Sequence, residues 1–569
     1  MSGASLPTPA DAPPTRRRLD RDDILMRAGI GLLIVWMLVT LVLPLWWLLS
    51  KSFQNQNGEF VGLANYIQYF STPTLFASVW NSLFIALLTT AIVLPLAFIY
   101  AFALQRSCMR WKGLFRALAL IPILAPSLLP AISLIYLFGN QGFLKEWLFG
   151  ASIYGPIGIV ISQVFYCFPH ALMILIAALS MADSRLYEAA DVLGASKTRV
   201  FFTVTLPGAK YGVISAGFVI FTLVITDFGI AKVIGGRFNV LATDIFKQVI
   251  GQQNFEMGAV VGFVLLIPAV VAFMADRILQ RRQVALLSAR AVPLIPKPAA
   301  RRDWGLFAFC MVIGGLIFGL LAMSVWASLV TRWPYNLALT LNNYAFGQFD
   351  SDGWSAYLNS LELAAWTAVI GTVVIFIGAY LLEKTRSFTF GRTVAQFMAM
   401  LPMAVPGLVL GLAYIFFFNE KGNPFGFIYA TMAILVVNSI THFYTVSHLT
   451  ATTALKQLDA EFEAVSASLK VSLFRTMTRV TVPVCLPAVL DISIYLFVNA
   501  MTTVSAVIFL YSTDSKLASV SIINMDESGF TAAAAAMAVT IVATSAAVKI
   551  LHLLLTRRLD RRMQAWRQR

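Results

Sequence analysis

The sequence predicts an all-α polytopic membrane protein with about twelve transmembrane helices in two homologous six-helix halves. Three observations lead there. The first is composition: of 569 residues, 59% are hydrophobic and only 12% charged, with a mean hydropathy of +0.78, whereas soluble domains are about a quarter charged. The second is the placement of basic residues on alternate connections between apolar runs. The third is a set of residue patterns that recurs some 276 to 280 positions later in the chain.

A hydrocarbon core about 30 Å thick needs about 20 apolar residues per helix. Twelve stretches supply them, at 27–49, 80–105, 114–138, 155–181, 211–235, 256–276, 304–329, 357–382, 394–418, 426–450, 485–511 and 531–555. They are apolar all round, which suits helices and not the alternating strands of a barrel. Residues 1–26, rich in Pro and Arg, read as a disordered tail. The first stretch is too long and too flanked by Arg for a cleaved signal peptide.

The formal charge of +15 could suggest nucleic acid, but its distribution assigns it to a membrane surface. Arg16, Arg17, Arg18, Arg21 and Arg27 precede the first stretch, and Arg106, Arg110, Lys112 and Arg116 follow the second. Arg277, Arg281, Arg282, Arg290, Lys297, Arg301 and Arg302 follow the sixth, and Lys384, Arg386 and Arg392 the eighth. Arg557, Arg558, Arg561, Arg562, Arg567 and Arg569 close the chain. With twelve alternating spans every cluster falls on one side, the positive-inside pattern, which makes both termini cytoplasmic. Nucleic acid is excluded as a partner; the lipid bilayer is required.

The repeat defines two halves, 27–278 and 304–556, joined by a linker at 279–303 with Pro293, Pro296 and Pro298 and followed by a basic tail at 557–569. Asn65-Tyr66 returns as Asn343-Tyr344, Asn81-Ser82-Leu83 as Asn359-Ser360-Leu361, and Ala86, Thr89 and Gly113 as Ala364, Thr367 and Gly391. Six spans per half give both copies the same orientation. In the third stretch of each half, Pro122 and Pro126 recur as Pro402 and Pro406. Prolines there favour kinks, which either line a path or only shape the packing.

Two polar segments between the fourth and fifth stretches carry the most specific pattern. Ala178-Leu179, Asp183, Leu193, Ser196, Arg199, Val204, Thr205 and Pro207 recur 276 residues on as Ala454-Leu455, Asp459, Leu469, Ser472, Arg475, Val480, Thr481 and Pro483. Each copy, at about 182–208 and 455–484, is long enough for two short helices and a turn. A membrane protein that keeps such an element twice offers two similar handles to something soluble.

These loops resemble the cytoplasmic signature of the permease subunits of type I binding-protein-dependent ABC importers: a Glu-Ala-Ala stretch, a Gly six residues after the Glu, and a Leu-Pro thirteen further on. Glu188-Ala189-Ala190, Gly194 and Leu206-Pro207 match it. The second copy departs from it: Ala464 stands at the Glu188 position, Glu463 is one residue early, and Lys470 replaces Gly194. A Gly there serves a turn with φ > 0, so the second loop must turn differently or bear strain. The resemblance implies the type I transmembrane fold and a bacterial inner-membrane location. It also implies two ATPase subunits and one periplasmic solute-binding protein as partners, with Asp183, Glu188, Ala189, Ala190, Gly194, Pro207, Asp459, Glu461, Glu463, Lys470 and Pro483 coupling the loops to the ATPases. Glu188, with Glu461 or Glu463, would pair with basic groups on them, and the two loops are expected to dock asymmetrically.

The chain itself has no Gly-x4-Gly-Lys-Ser/Thr loop, no His-Glu-x-x-His helix and no nucleophile triad, so it is not expected to be an enzyme or to bind a cofactor or metal. Cys108, Cys167, Cys310 and Cys485 lack metal-site spacing and read as small hydrophobes. In the fifth stretch Thr226-Asp227-Phe228-Gly229 matches Thr502-Thr503-Val504-Ser505. An ionisable group at membrane depth is a functional candidate, so Thr226, Asp227, Asn499, Thr502 and Thr503 are the candidate translocation path for a small polar solute. Asp227 could equally be a structural partner of Lys232 or Arg237, and His170 and His442 read as packed or hydrogen-bonded membrane histidines. An ion-driven secondary transporter would place several ionisable groups deep in its spans, and Asp227 is nearly alone. One-chain fusions of two halves are typical of ferric-iron permeases and a related 2-aminoethylphosphonate group. The latter is what 226–229, 232–236, 239–244, 247–255 and 516–520 resemble, so 2-aminoethylphosphonate is the expected substrate, with ferric iron or a polyamine as the alternative.

Overall fold

The apolar stretches fold as helices, though not all as straight ones. The structure, a computed structural model, describes residues 21–284, 294–385, 388–459 and 461–567. Among the described residues eight helices are long and apolar enough to cross a membrane: Arg21–Lys51, Pro73–Arg106, Pro156–Ser180, Lys197–Thr226, Phe255–Leu279, Ala300–Leu329, Trp354–Lys384 and Thr531–Arg557. Three more are bent pairs: Lys112–Leu124 with Leu128–Phe138 (102°), Thr389–Ala404 with Gly407–Phe418 (113°), and Leu473–Val484 with Leu486–Thr502 (77°). The tenth stretch is the shorter helix Met432–His442, followed after Phe443 by Tyr444–Lys456.

Several boundaries differ from the sequence expectation for local reasons. Residues from Arg21 onward, inside the expected 1–26 tail, are already helical. The expected linker is shorter, since helix runs to Val284 and resumes at Ala300; the final helix runs to Arg567, through most of the expected tail. Tail residues 1–20, with Arg16, Arg17 and Arg18, and Arg290, Pro293, Arg386 and Arg569 lie outside the described residues. The third span of each half is broken and not merely kinked, because Pro122, Pro126, Pro402 and Pro406 withdraw backbone donors within one turn. The fifth and eleventh helices stop at Thr226 and Thr502, short of the expected 235 and 511. Of the cysteines, Cys167, Cys310 and Cys485 are buried, while Cys108 is exposed.

The repeated residues turn out to be pins between elements. Asn65 donates its amide to the Ser52 and Gln54 carbonyls (3.0 and 2.8 Å), and Asn343 does the same to Ser328 and Val330 (3.0 and 2.8 Å). Their neighbours repeat the arrangement, Tyr66 with the Ser52 hydroxyl at 2.8 Å and Tyr344 with Ser328 at 2.9 Å. Each set fastens the end of a half's first span to the turn that follows it. That turn is the isolated bridge Gln54–Phe60 in one half and the antiparallel hairpin Val330–Arg332 with Asn336–Leu339 in the other. The Asn-Ser pair works similarly. Asn81 donates to the Asn239 carbonyl at 2.8 Å, and Ser82 accepts from the Leu241 N–H at 2.8 Å, at the start of the short helix Leu241–Phe246. Asn359 donates to the Asp514 and Lys516 carbonyls, and Ser360 accepts from the Ala518 N–H, where Ala518–Glu527 starts. Lys516 also bonds Asp350 at 2.5 Å and Asp352 at 3.0 Å. Burial would raise the Asp350 carboxyl, but hydrogen bonds from Lys516 and Ser521 and the Lys516 charge outweigh it and hold the group below the usual range.

The first span of each half lies on the other half. Arg21–Lys51 packs against Trp354–Lys384 and both arms of the broken ninth span, and Ala300–Leu329 packs against Pro73–Arg106 and the broken third. A hydrogen bond from Ser133 to the Leu320 carbonyl (2.9 Å) fastens the second of these exchanges. The two halves therefore interlock.

Asn343 is the most exacting of the pins, being buried and serving two carbonyls. Asn343→Ala should cost about 1–3 kcal/mol, the penalty for stranding buried polar groups, and lower the melting temperature in detergent. Asn65→Ala, at a less buried site, should cost less in the same measurement.

Candidate functional site

The break in the third span and the ends of the fifth and eleventh helices meet at one polar cavity of about 100 Å³ between the halves. From the first half it is lined by Ser127 at the break in the third span, by Tyr166 and His170 on the fourth, and by Asp227 and Gly229 where the fifth helix ends. From the second half come His442, Asn499, Thr502, Thr503 and Ser505. Four of the five predicted path residues are thus gathered in one place. Thr226 is not among the lining residues; its hydroxyl bonds back to the Thr222 carbonyl at 2.8 Å.

Asp227 is held by its own half. Its Oδ2 accepts from Gln163 Nε2 and from the Ile230 N–H, both at 3.0 Å. The second bond starts the short helix Gly229–Ile234 and explains why the long helix ends where it does. Lys232 is not its partner, because Lys232 pairs with Glu527 of the other half. His170 and His442 both face the cavity; His170 Nδ1 is hydrogen-bonded, 3.2 Å from the Tyr166 carbonyl, and His442 Nδ1 has no partner among the described residues. Gln163, Tyr166 and His170 were missed as a group. Their spacing of three and four places them on one helical stripe, a pattern that was present in the sequence.

Close packing at the two breaks is solved with the same residue types exchanged. A Cβ on Gly229 would lie 2.7 Å from Ser127 Oγ, and one on Gly407 would lie 2.9 Å from Ser505 Oγ. Ser127 and Gly407 are counterparts in the repeat, as are Gly229 and Ser505, so each contact needs one small partner with no side chain. Aromatic rings lie next to the cavity: Phe228 is 5.1 Å from Phe246, which stacks at 6.3 Å and 22° on Phe509 of the other half. The Lys232 ammonium lies 4.5 Å over Phe246.

The matched loops also fold alike. In the first, Asp183 caps the helix Ser184–Val192 by accepting from the Arg185 N–H (3.2 Å), and the helix closes on Gly194 at φ +66°. In the second, Asp459 accepts from the Glu461 N–H (3.0 Å), and Glu461–Ser468 closes on Lys470 at φ +53°. Both turns carry the bond from two residues beyond the cap to the last turn, Ala195 to Ala190 and Val471 to Ser466, a Schellman arrangement. The second loop therefore does not turn differently; Lys470 bears the left-handed strain. Glu188, Ala189 and Glu461 are exposed, as are Pro207 and Pro483, and Ala190 is half-buried. Glu463 is not free, because it pairs with Lys384 inside the chain. Beside them Leu193 and Leu469 are 83% and 69% exposed, with Leu186 and Phe462 also open. Matched apolar side chains on otherwise polar loops mark a contact surface.

The expected loop boundary at 208 also moves. Lys197–Thr226 is one helix of 30 residues, so the first loop's second helix continues without a break to Asp227. A π turn at Phe201–Thr205 absorbs Pro207. In the second half the equivalent helix bends by 77° at Cys485, where Pro487 adds a second proline within four residues.

Comparison with known proteins followed these observations. A family described as binding-protein-dependent transport system inner membrane component matches residues 94–284 and again 371–561. The FbpB 1 permease protein named for ferric transport in Haemophilus influenzae is 29% identical over 453 residues, covering 77% of this chain and 70% of that protein. The ferric transport system permease protein FbpB of Actinobacillus pleuropneumoniae is 28% identical over 465 residues, covering 79% of this chain and 66% of its own length. The spermidine/putrescine permease protein PotB of Haemophilus influenzae is 25% identical over 271 residues, covering 44% of this chain and 94% of itself.

Two tests follow from this geometry. Lys470→Gly should relieve about 1 kcal/mol of backbone strain and slow amide exchange across 461–471 about five-fold, with Gly194→Lys doing the opposite across 184–195. Gly229→Ser should reduce the yield of folded protein by collision with Ser127, and adding Ser127→Gly should restore it, since the exchanged pair already exists in the other half.

Proposed function

Because this chain belongs to the family of binding-protein-dependent transport system inner membrane components, both halves being matched, we propose that it is the fused permease subunit of an ABC importer. One copy forms the translocation path in a bacterial inner membrane, both termini cytoplasmic, and works with two separate ATPase subunits and a periplasmic solute-binding protein. The observation that carries this reading is the pair of matched loops, with the same cap, the same left-handed turn and an exposed leucine at the same position.

The mechanism follows from continuity. An ATPase pair that closes on ATP draws the two loops together. The first loop's helix Lys197–Thr226 acts as a lever about 45 Å long at 1.5 Å per residue, and its far end is Asp227 on the cavity wall. Tilting that lever moves the carboxylate relative to Asn499, Thr502 and Thr503 of the other half. Closure and opening of the cavity are thereby tied to the state of the loops. Glu188 and Glu461 supply the charged contacts to the partner, and the exposed apolar residues supply the buried area.

For the solute, the lining favours a small zwitterion. Asp227 offers a negative charge to an ammonium group, while Asn499, Thr502, Thr503, Ser505 and His442 offer donors to a phosphonate. 2-Aminoethylphosphonate fits both requirements, in line with the outer-segment resemblance. Ferric iron is the second reading, favoured by the two FbpB relatives.

Uptake into proteoliposomes holding this chain, its ATPase and its binding protein decides between them. ATP-dependent accumulation of labelled 2-aminoethylphosphonate and not of ferric iron is the expected result, with Asp227→Asn lowering uptake at least about ten-fold through lost charge pairing. Iron accumulation instead would keep the importer and reassign the solute. Uptake of either without ATP would defeat the importer reading.

A further inference from the structure

Both loops are tied to the second span of their own half, and the two ties differ in kind. Arg106 ends the second span of the first half, and Lys384 stands at the corresponding place in the other. Their contacts are also counterparts in the repeat, Tyr187 in one loop and Glu463 in the other. The Arg106 guanidinium is buried, donates to the Leu179 carbonyl at 2.8 Å and lies 5.2 Å over the Tyr187 ring. Tyr187 in turn donates to the Thr205 hydroxyl at 3.1 Å. Among the described residues this first tie is a cation–π and hydrogen-bond contact. In the second half Lys384 and Glu463 form an ion pair whose side chains are only 10% and 25% exposed.

The second loop has another charged tie, to the opposite half. Its short helix Leu473–Thr476 begins at Ser472, whose side chain makes no cap. The Leu473 N–H is taken instead by the Asp22 carboxylate, at 3.0 Å, from the first span of the opposite half. In the first loop Ser196 caps its own helix by accepting from Arg199 at 3.3 Å. Asp303, near the start of the seventh span, accepts from the Cys108 N–H at 3.2 Å, in the turn after the second span and not in the loop.

We propose that Asp22, Lys384 and Glu463 are positioning residues that hold the second coupling loop electrostatically between the two halves, so that its engagement with an ATPase depends on this charge tether. The inference rests on the importer reading above. A pair so little exposed is not the weak surface kind, and removing one member leaves the other charge without its partner at a sheltered site. The tether also compensates for two weaknesses of this loop, the strained turn at Lys470 and the bend at Cys485. With its lever broken, the second loop relies on side-chain contacts to stay in register with the spans. Because Asp22 comes from the opposite half, the tether also transmits the relative position of the halves to this loop.

The test uses the full-length permease in nanodiscs, with a spin label at Val465 in the second loop or at Ala189 in the first. Glu463→Gln and Asp22→Asn should each raise label mobility at 465 and leave it unchanged at 189. In the reconstituted importer, ATP hydrolysed per solute moved should rise about ten-fold for Glu463→Gln. The reversed pair, Lys384→Glu with Glu463→Lys, should restore both readings. Unchanged mobility at 465 in both single variants overturns the proposal, as does a well-folded reversed pair that restores neither reading. If no ATPase responds to the wild-type permease, the importer reading fails by itself, while the label measurements still judge the tether.

Discussion

Everything in this molecule answers to the rule that a backbone N–H or C=O inside a bilayer must find a partner within the protein. Straight helices satisfy it by themselves, and eight spans do so. The broken ones satisfy it only by borrowing side chains. Asp227 accepts from the Ile230 N–H, Ser519 donates to the Thr503 carbonyl at 2.6 Å, and Asn438 donates to the Ala506 carbonyl at 2.5 Å. Such repairs need protein on every side, and the break at Ser127 and the helix ends at Asp227 and Thr503 lie where the halves meet. The polar cavity follows from that, because the side chains and free backbone ends that repair the breaks are the cavity's own walls.

The two halves share a plan but fill it differently. The left-handed turn is a Gly in one loop and a Lys in the other, at φ +66° and +53°. The tie from second span to loop is aromatic in one half and ionic in the other. The close approach beside the cavity has Ser and Gly exchanged between its two sides. In each case geometry is kept while chemistry drifts, as expected where the contact distance is the selected quantity and several residue pairs can meet it. The exception is mechanical: Pro487 bends the second lever, and no compensating proline stands at Tyr211 in the first. The halves are therefore equal in architecture and unequal in stiffness.

Much of this was legible in the sequence because the rules involved are local or periodic. Hydropathy gave twelve stretches, the 276-residue offset gave two halves, and Glu188, Gly194 and Pro207 gave the loops. Asp227 stood out because a carboxylate inside an apolar run is costly. Asn65, Asn81 and their counterparts were visible as repeats, but their work was not. Each reaches a carbonyl 11 to 158 positions away, and no local pattern encodes such a distance.

The sequence by itself determined the membrane class, the duplication, the position of the loops and the presence of a carboxylate inside an apolar run, because composition, period and spacing are properties of the chain read in order. Only the tertiary structure decided that the third spans break by more than 100°, that His170 and His442 face the same space as Asp227, and that the first span of each half crosses to the other. It also decided that Glu463 is already paired while Glu461 is open. These outcomes turn on which faces meet when helices from two halves pack. That choice is fixed by mutual fit and by the satisfaction of freed backbone groups, and neither quantity exists until the halves are together.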